Sequence, residues 1–185
     1  MKVGVLALQG DFAAHATILA ELGNPSFEVR TTKQLTDCDA LVIPGGESTS
    51  LRIIAQNTGI LAPLREAAAD GLPIFGTCAG LIACARNLGS DEEPILGHVD
   101  IEVTRNAYGR QNESFETELD FQGIGLIRAT FIRAPRIDRL GPQVETLASF
   151  DGAPVAVRQG RTWLLAFHPE INRESRIHEA WLSSL

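Results

Sequence analysis

One stretch constrains the fold of this chain more than any other: Gly76-Thr77-Cys78-Ala79-Gly80. A short apolar run, Pro73 to Phe75, leads into it, and a helical pattern, Leu81 to Asn87, leads out. A strand that turns sharply into a helix is a joint of an α/β layer fold. At such a joint the central residue is held in a strained conformation. The neighbouring backbone passes so close that only glycine fits at the flanking positions. The pattern G-x-C-x-G is the thiol counterpart of the G-x-S-x-G nucleophile elbow. It would hold Cys78 over a helix N-terminus, where the macrodipole favours a nucleophilic thiolate. A free cysteine is more often a small buried hydrophobe, and the two glycines set this one apart. Cys38 lies between Asp37 and Asp39, carboxylates that disfavour a thiolate, and Cys84 falls inside the helix after the elbow. With no C-x-x-C pair, a zinc ribbon or dithiol redox site is not expected.

The first half alternates strand and helix. Val3 to Leu8 reads as a buried strand closed by Gln9-Gly10. Asp11 caps a helix carrying Ala14, Ile18, Leu19 and Leu22, and Gly23 stops it. Phe27 to Thr31 and Ala40 to Ile43 are further strands, with helical stretches at Ser50 to Gln56 and Leu61 to Ala69. That order predicts a doubly wound, mostly parallel sheet with right-handed crossovers. The second half differs. His98 to Thr104, Phe115 to Phe121, Gly125 to Ile132, Val144 to Phe150, Pro154 to Arg158 and Thr162 to Phe167 read as strands, with turns at Gly152 and Gln159-Gly160. A helix over Arg173 to Leu182 follows. The expected fold is α/β and flavodoxin-like, with antiparallel strands added in the second half, and residues 1–185 form one domain.

Charge narrows the function classes. The chain has 16 basic and 23 acidic residues, a net charge of −7, and its charges are scattered. Without a basic run it is a poor candidate for nucleic-acid binding, where phosphate neutralisation dominates affinity. No run approaches the ~18 apolar residues of a membrane span. The opening MKVGVLALQGDF is too short in apolar residues for a secretory signal. Three cysteines, an odd number, agree with a reducing compartment, and the cytoplasm is the expected location.

Two more segments end strands where an open α/β sheet binds ligands, beyond the carboxyl ends. In Phe167-His168-Pro169-Glu170, the histidine and glutamate are two apart. In extended chain they share a face, so Glu170 can fix the imidazole tautomer of His168 while His168 exchanges a proton with Cys78. His15 and His178 lie in helical stretches and His98 at a strand start, so none of them combines a buried strand end with an adjacent acid. In Pro44-Gly45-Gly46-Glu47-Ser48-Thr49, two glycines before a helix expose backbone N–H groups that can bind an anion or a developing oxyanion. Pro-Gly-Gly is also an ordinary turn, and no P-loop lysine follows.

With these segments in place, the chain resembles the class I glutamine amidotransferase family, and within it the glutaminase subunits of pyridoxal 5′-phosphate synthases. The elbow and His168-Pro169-Glu170 resemble the wider group. The narrower likeness rests on Val5-Leu6-Ala7-Leu8-Gln9-Gly10, Arg105-Asn106-Ala107-Tyr108-Gly109-Arg110-Gln111 and Phe131-Ile132-Arg133-Ala134-Pro135. The resemblance implies hydrolysis of L-glutamine to glutamate and ammonia by a triad of Cys78, His168 and Glu170, without cofactor or metal. It implies an oxyanion hole from Ala79 and Gly46, and Gly46, Glu47, Ser48, Arg105, Ile132 and Arg133 around the substrate. It further implies a (β/α)₈ synthase subunit that receives the ammonia, with Gln9 and Gly10 at that interface. A glutaminase largely idle until docked would follow if the Gly45–Gly46 peptide turned its N–H toward the oxyanion only in the complex. Ile171-Asn172-Arg173-Glu174-Ser175 and the Ala83-Cys84 pair depart from the family pattern without touching an assigned role.

Three rival readings stand beside this one. The triad equally fits a glutaminase serving another synthase, for purine, histidine or carbamoyl phosphate. A Cys-elbow stress protein or peptidase fits the elbow, but not the His168–Glu170 pair. A flavodoxin-like binding module predicts an inert Cys78.

Overall fold

The structure is a computed structural model that describes residues 1–89, 92–105, 107 and 114–185. Asn106 and Tyr108 to Gln111, part of the segment that carried the narrower likeness, lie outside the described residues. In chain order the elements are β1 (Val3–Leu6), α1 (Phe12–Glu21), β2 (Phe27–Val29), α2 (Thr32–Thr36), β3 (Ala40–Ile43), α3 (Ser48–Asn57), α4 (Leu61–Ala69) and β4 (Ile74–Thr77). Then follow α5 (Ala79–Cys84), β5 (Ala85–Asn87), β6 (Val99–Thr104), β7 (Phe115–Phe121), β8 (Gly125–Phe131) and β9 (Arg136–Leu140). The last are β10 (Glu145–Phe150), β11 (Ala153–Gln159), β12 (Thr162–Leu165) and α6 (Ser175–Ser183).

The central sheet has the order β10-β11-β12-β4-β3-β1-β2. From β12 to β2 every pair is parallel, while β11 and β10 are antiparallel hairpins on one edge. The parallel strands β1, β3, β4 and β12 are buried along their whole length. This is why they read as continuous apolar runs rather than alternating ones. A smaller sheet, β5-β6-β9, and the hairpin β7-β8 complete the second half. The mostly parallel α/β core with added antiparallel strands is the architecture expected from the sequence.

Three local readings change. The helix expected over Leu81 to Asn87 begins at Ala79 and ends at Cys84, and 85–87 form β5. β5 pairs in parallel with β6, Ala85 opposite Val99, so a distant strand decides the conformation there. The strand expected to reach Thr31 stops at Val29. Thr31 turns to cap α2, its hydroxyl accepting from Gln34 N while the Gln34 side chain accepts from Thr31 N. This is a capping box, and its T-x-x-Q pattern was legible. β9 went unread, because its Arg136, Asp138 and Arg139 are exposed and polar and it gains strand form by pairing with β6.

Register positions the site. Ile43 of β3 lies opposite Gly76 of β4, and Thr77 of β4 lies opposite Leu165 of β12. The three strands therefore finish side by side. The segments that follow them, at Gly45, Cys78 and His168, are thrown together above one edge of the sheet.

Candidate active site

The elbow meets its steric specification. Cys78 sits at φ 47°, ψ −99°, off the regions open to ordinary L-residues. Its N–H donates to Leu165 O at 2.8 Å, which locks the turn onto β12. A Cβ on Gly76 would lie 2.9 Å from the Gly80 carbonyl carbon, and one on Gly80 would lie 2.2 Å from Ile43 O. Both glycines are thus demanded by strand–helix packing. Cys78 is only 5% exposed, and its thiol lies 3.9 Å from Ile132 O.

His168 is placed by the chain leaving β12, and its N–H donates to Thr130 O in β8 at 2.9 Å. Its Nδ1 lies 2.7 Å from Glu170 Oε1. Glu170 therefore holds the proton on Nδ1 and leaves Nε2 for the thiol. Burial opposes charge on the imidazole. The hydrogen bonds and charges of Cys78 and Glu170 overrule it and push the His168 pKa up to about 10. Burial would likewise raise the Glu170 pKa. Hydrogen bonds and charge from His15 and His168 hold it well below the usual carboxylate range instead. The acid is therefore a carboxylate and the imidazole a cation, an arrangement that stabilises a thiolate beside it.

The turn after β3 closes the site on the other side. A Cβ on Gly45 would lie 2.3 Å from His168 Cε1 and 3.3 Å from Cys78 Cβ, so only glycine fits between these two side chains. The Gly45 N–H donates to Thr77 Oγ1 at 2.8 Å. That leaves Gly46, at φ +143°, as the turn's candidate donor, and Ala79 N–H starts α5 right after Cys78. The Gln9 side chain braces this turn, its Oε1 accepting from Glu47 N at 2.8 Å. Gly10 is exposed and packs on the same turn through the Gly45 carbonyl.

A cavity of about 130 Å³ lies over these groups. It is lined by Cys78 and His168, by Gly46, Glu47 and Ser48 of the turn, and by Arg105, Ile132 and Arg133 across from them. Every residue expected around a substrate thus faces the same cavity, joined by Ile82 from α5. Arg133 takes φ 43°, a left-handed conformation that turns the chain at the cavity wall. Glu47 has a second task. Burial raises its pKa, but its carboxylate accepts from Thr49 N and Ser50 N as the cap of α3, and these hydrogen bonds together bring it down to about 2.

Family and relatives fit this geometry. The SNO glutamine amidotransferase family matches residues 5–185. The chain belongs to the SNO glutamine amidotransferase family. Relatives include the pyridoxal 5′-phosphate synthase subunit PdxT of Pelotomaculum thermopropionicum, 50% identical, with 98% of this chain and 94% of that protein covered. The protein of the same description from Mycolicibacterium vanbaalenii is 47% identical, with 100% and 97% covered. A crystal structure described as a glutamine amidotransferase superposes with a TM-score of 0.93 at 45% identity, covering 100% of this chain and 98% of that one. The PurLQS structure from Thermotoga maritima, at 16% identity and TM-score 0.76, shares the fold with this SNO family chain.

Sequence reasoning set aside two residues that the structure brings to the triad. His15 of α1 and His178 of α6 are both fully buried, and His15 Nδ1 lies 2.9 Å from His178 Nε2. The available signal was a histidine on the apolar stripe of each amphipathic helix, a position that must find a polar partner inside.

Proposed function

We propose that this chain is the glutaminase subunit of a pyridoxal 5′-phosphate synthase, hydrolysing L-glutamine and passing ammonia to a synthase subunit. The observation that carries the reading is the 2.7 Å His168–Glu170 contact beside the strained Cys78, opening on a cavity with two arginines in its wall. Membership of the SNO family and the PdxT relatives support it.

In this reading the Cys78 thiolate attacks the side-chain amide carbon of glutamine. The amide oxygen becomes an oxyanion, held by the N–H groups of Ala79 and Gly46. His168 gives its Nε2 proton to the departing nitrogen, the C–N bond breaks, and ammonia leaves a γ-glutamyl thioester. Water then attacks the thioester, His168 takes its proton, and glutamate and the thiolate are released. Arg105 and Arg133 hold the α-carboxylate, while Gly46, Glu47, Ser48 and Ile132 shape the remaining wall. Residues 1–185 act as one glutaminase domain, and the connected hydrophobic core among the described residues supports that.

The partner is a (β/α)₈ synthase subunit, docked over the corner of half-buried Gln9 and exposed Gly10, a position supported by the contacts of both residues with the oxyanion turn. A cytoplasmic location is supported by three free thiols. No described helix is long and apolar enough to cross a membrane.

The test is glutamate release from glutamine by the purified chain, alone and with the synthase subunit, with Cys78→Ala as control. Release that rises with the partner and vanishes in the variant is expected. No release under either condition overturns the reading.

A further inference from the structure

The mechanism above uses one oxygen of the Glu170 carboxylate. The second, Oε2, is buried, makes no hydrogen bond among the described residues, and lies 3.5 Å from His15 Nε2. The same Nε2 is 3.3 Å from Thr77 Oγ1, the hydroxyl that accepts the Gly45 N–H. On the other side of the ring, Nδ1 faces His178 Nε2 at 2.9 Å. The His178 ring is in turn packed against Phe75, with centroids 4.6 Å apart. Four elements thus converge on one imidazole: α1 carries it, α6 backs it, and it reaches the ends of both β4 and the chain beyond β12.

We propose that His15 is a positioning residue for the glutaminase reaction, orienting Glu170 and the Gly45–Gly46 turn together, with His178 fixing its ring. The inference rests on the glutaminase reading and deepens it.

The physical case is one of satisfaction. A carboxylate with 2% of its side chain exposed needs a donor for each oxygen. His168 serves Oε1, while Oε2 makes no hydrogen bond among the described residues and is left to the approach of His15 Nε2 at 3.5 Å. With its proton on Nε2, His15 aims that N–H between Thr77 Oγ1, at 3.3 Å, and Glu170 Oε2, at 3.5 Å, and presents Nδ1 to His178. His178 is kept neutral by burial, its pKa pushed down to about 3, so its one proton can close the His15–His178 contact. Without the His15 donor, Glu170 would draw a proton more readily or rotate, and His168 would lose its orienter. The Thr77 hydroxyl would also lose a partner, loosening the turn that supplies the oxyanion donor. Helix α1 begins three residues after Gln9, so the residue that braces the turn lies just ahead of the helix that carries the residue facing the acid.

The test compares His15→Leu, which keeps bulk but removes the donor, with His15→Gln, whose amide can restore an N–H near the Nε2 position. Both are assayed in the complex with the synthase subunit. His15→Leu is expected to lower kcat about 10- to 100-fold with little change in KM. The acid limb of its pH profile should move to higher pH, because Glu170 protonates more readily among the groups that face it, His15, His168 and, behind His15, His178. His15→Gln should recover most of the rate. A second readout needs no glutamine: alkylation of Cys78 by iodoacetamide at pH 7 should slow at least about fivefold in His15→Leu and return in His15→Gln. A folded His15→Leu with kcat, acid limb and alkylation rate within twofold of wild type overturns the proposal. Equal loss in both variants with an unmoved acid limb and a lowered Tm also overturns it, as a purely structural role. If the wild-type chain releases no glutamate, the glutaminase reading falls, and the alkylation comparison still decides whether His15 tunes the Cys78–His168–Glu170 array.

Discussion

The carbonyl oxygen of Gly45 rests directly against Gly10. A Cβ built on Gly10 would lie 1.8 Å from that oxygen, and Gly10 itself holds φ +78°. Because the peptide is planar and trans, a Gly45 carbonyl facing Gly10 sends the Gly46 N–H the opposite way. The orientation of the Gly46 N–H, the oxyanion donor of the proposed mechanism, is therefore set from behind, by a residue on the exposed corner after β1. In the proposed complex, a partner that presses on Gly10 would reach the Gly45–Gly46 peptide through a single contact.

Gly10→Ala should disable the enzyme without unfolding it. The added methyl must turn the Gly45–Gly46 peptide or displace the loop. Loss of one oxyanion donor costs about 10²–10³-fold in kcat. Steady-state kinetics in the complex should show that loss with KM near wild type. A Gly10→Ala enzyme with wild-type kcat would separate the Gly10 contact from catalysis.

The three cysteines should differ sharply toward electrophiles. Cys84 is fully buried and its thiol is pushed well above the ordinary range. Cys38 is pushed up to about 11 by burial and by Asp37 and Asp39. Cys78 alone stands beside a histidine held as a cation. A glutamine-analogue electrophile at pH 7.5, followed by peptide mapping, should mark Cys78 first and leave Cys78→Ala unlabelled. Even labelling of all three would favour an inert binding module.

Arg105 is the more telling of the two cavity arginines. Its guanidinium lies 3.3 Å from Glu92 Oε2, and this half-exposed pair is a weak one that a substrate carboxylate can displace. Arg105→Ala should raise KM for glutamine about 10-fold or more while kcat changes little, since the bond is made equally in ground and transition states. A fall in kcat at constant KM would instead place Arg105 at the reacting amide.

Acid should destabilise the fold through histidines outside the triad proper. Burial holds His98 down to about 4 and His178 down to about 3, against an ordinary 6.5. Below pH 6.5 the unfolded chain binds protons that the folded chain refuses, so stability falls from pH 6.5 toward about 4. His168 acts in the opposite sense. Its raised pKa contributes in full below 6.5 and is lost only as pH climbs toward about 10. Glu170, held low, contributes fully above 4.5 and loses ground only below it. Urea midpoints at pH 7, 6 and 5 should therefore decline stepwise, and His98→Gln should flatten the decline. A midpoint constant across that range would contradict the buried neutral histidines.

Much of this protein is determined by sequence alone, because local sterics leave few options. Glycines flanking Cys78 allow one kind of strand-to-helix joint, and the joint in space matches it, down to the contacts of Gly76 and Gly80 with their neighbours. Continuous apolar runs at Ala40–Ile43 and Thr162–Leu165 declare strands buried on both faces, and His168 and Glu170 meet because two residues cannot be far apart. Tertiary structure decided everything that depends on pairing across distance. Strand register brought Gly45, Cys78 and His168 to one edge, and pairing with β6 made strands of 85–87 and Arg136–Leu140, where local preference pointed elsewhere. It also brought His15 against His178, 163 positions along the chain, and set both behind Glu170. No spacing rule reaches that far: a buried histidine announces that it needs a partner, and only the packing of α1 on α6 says which one.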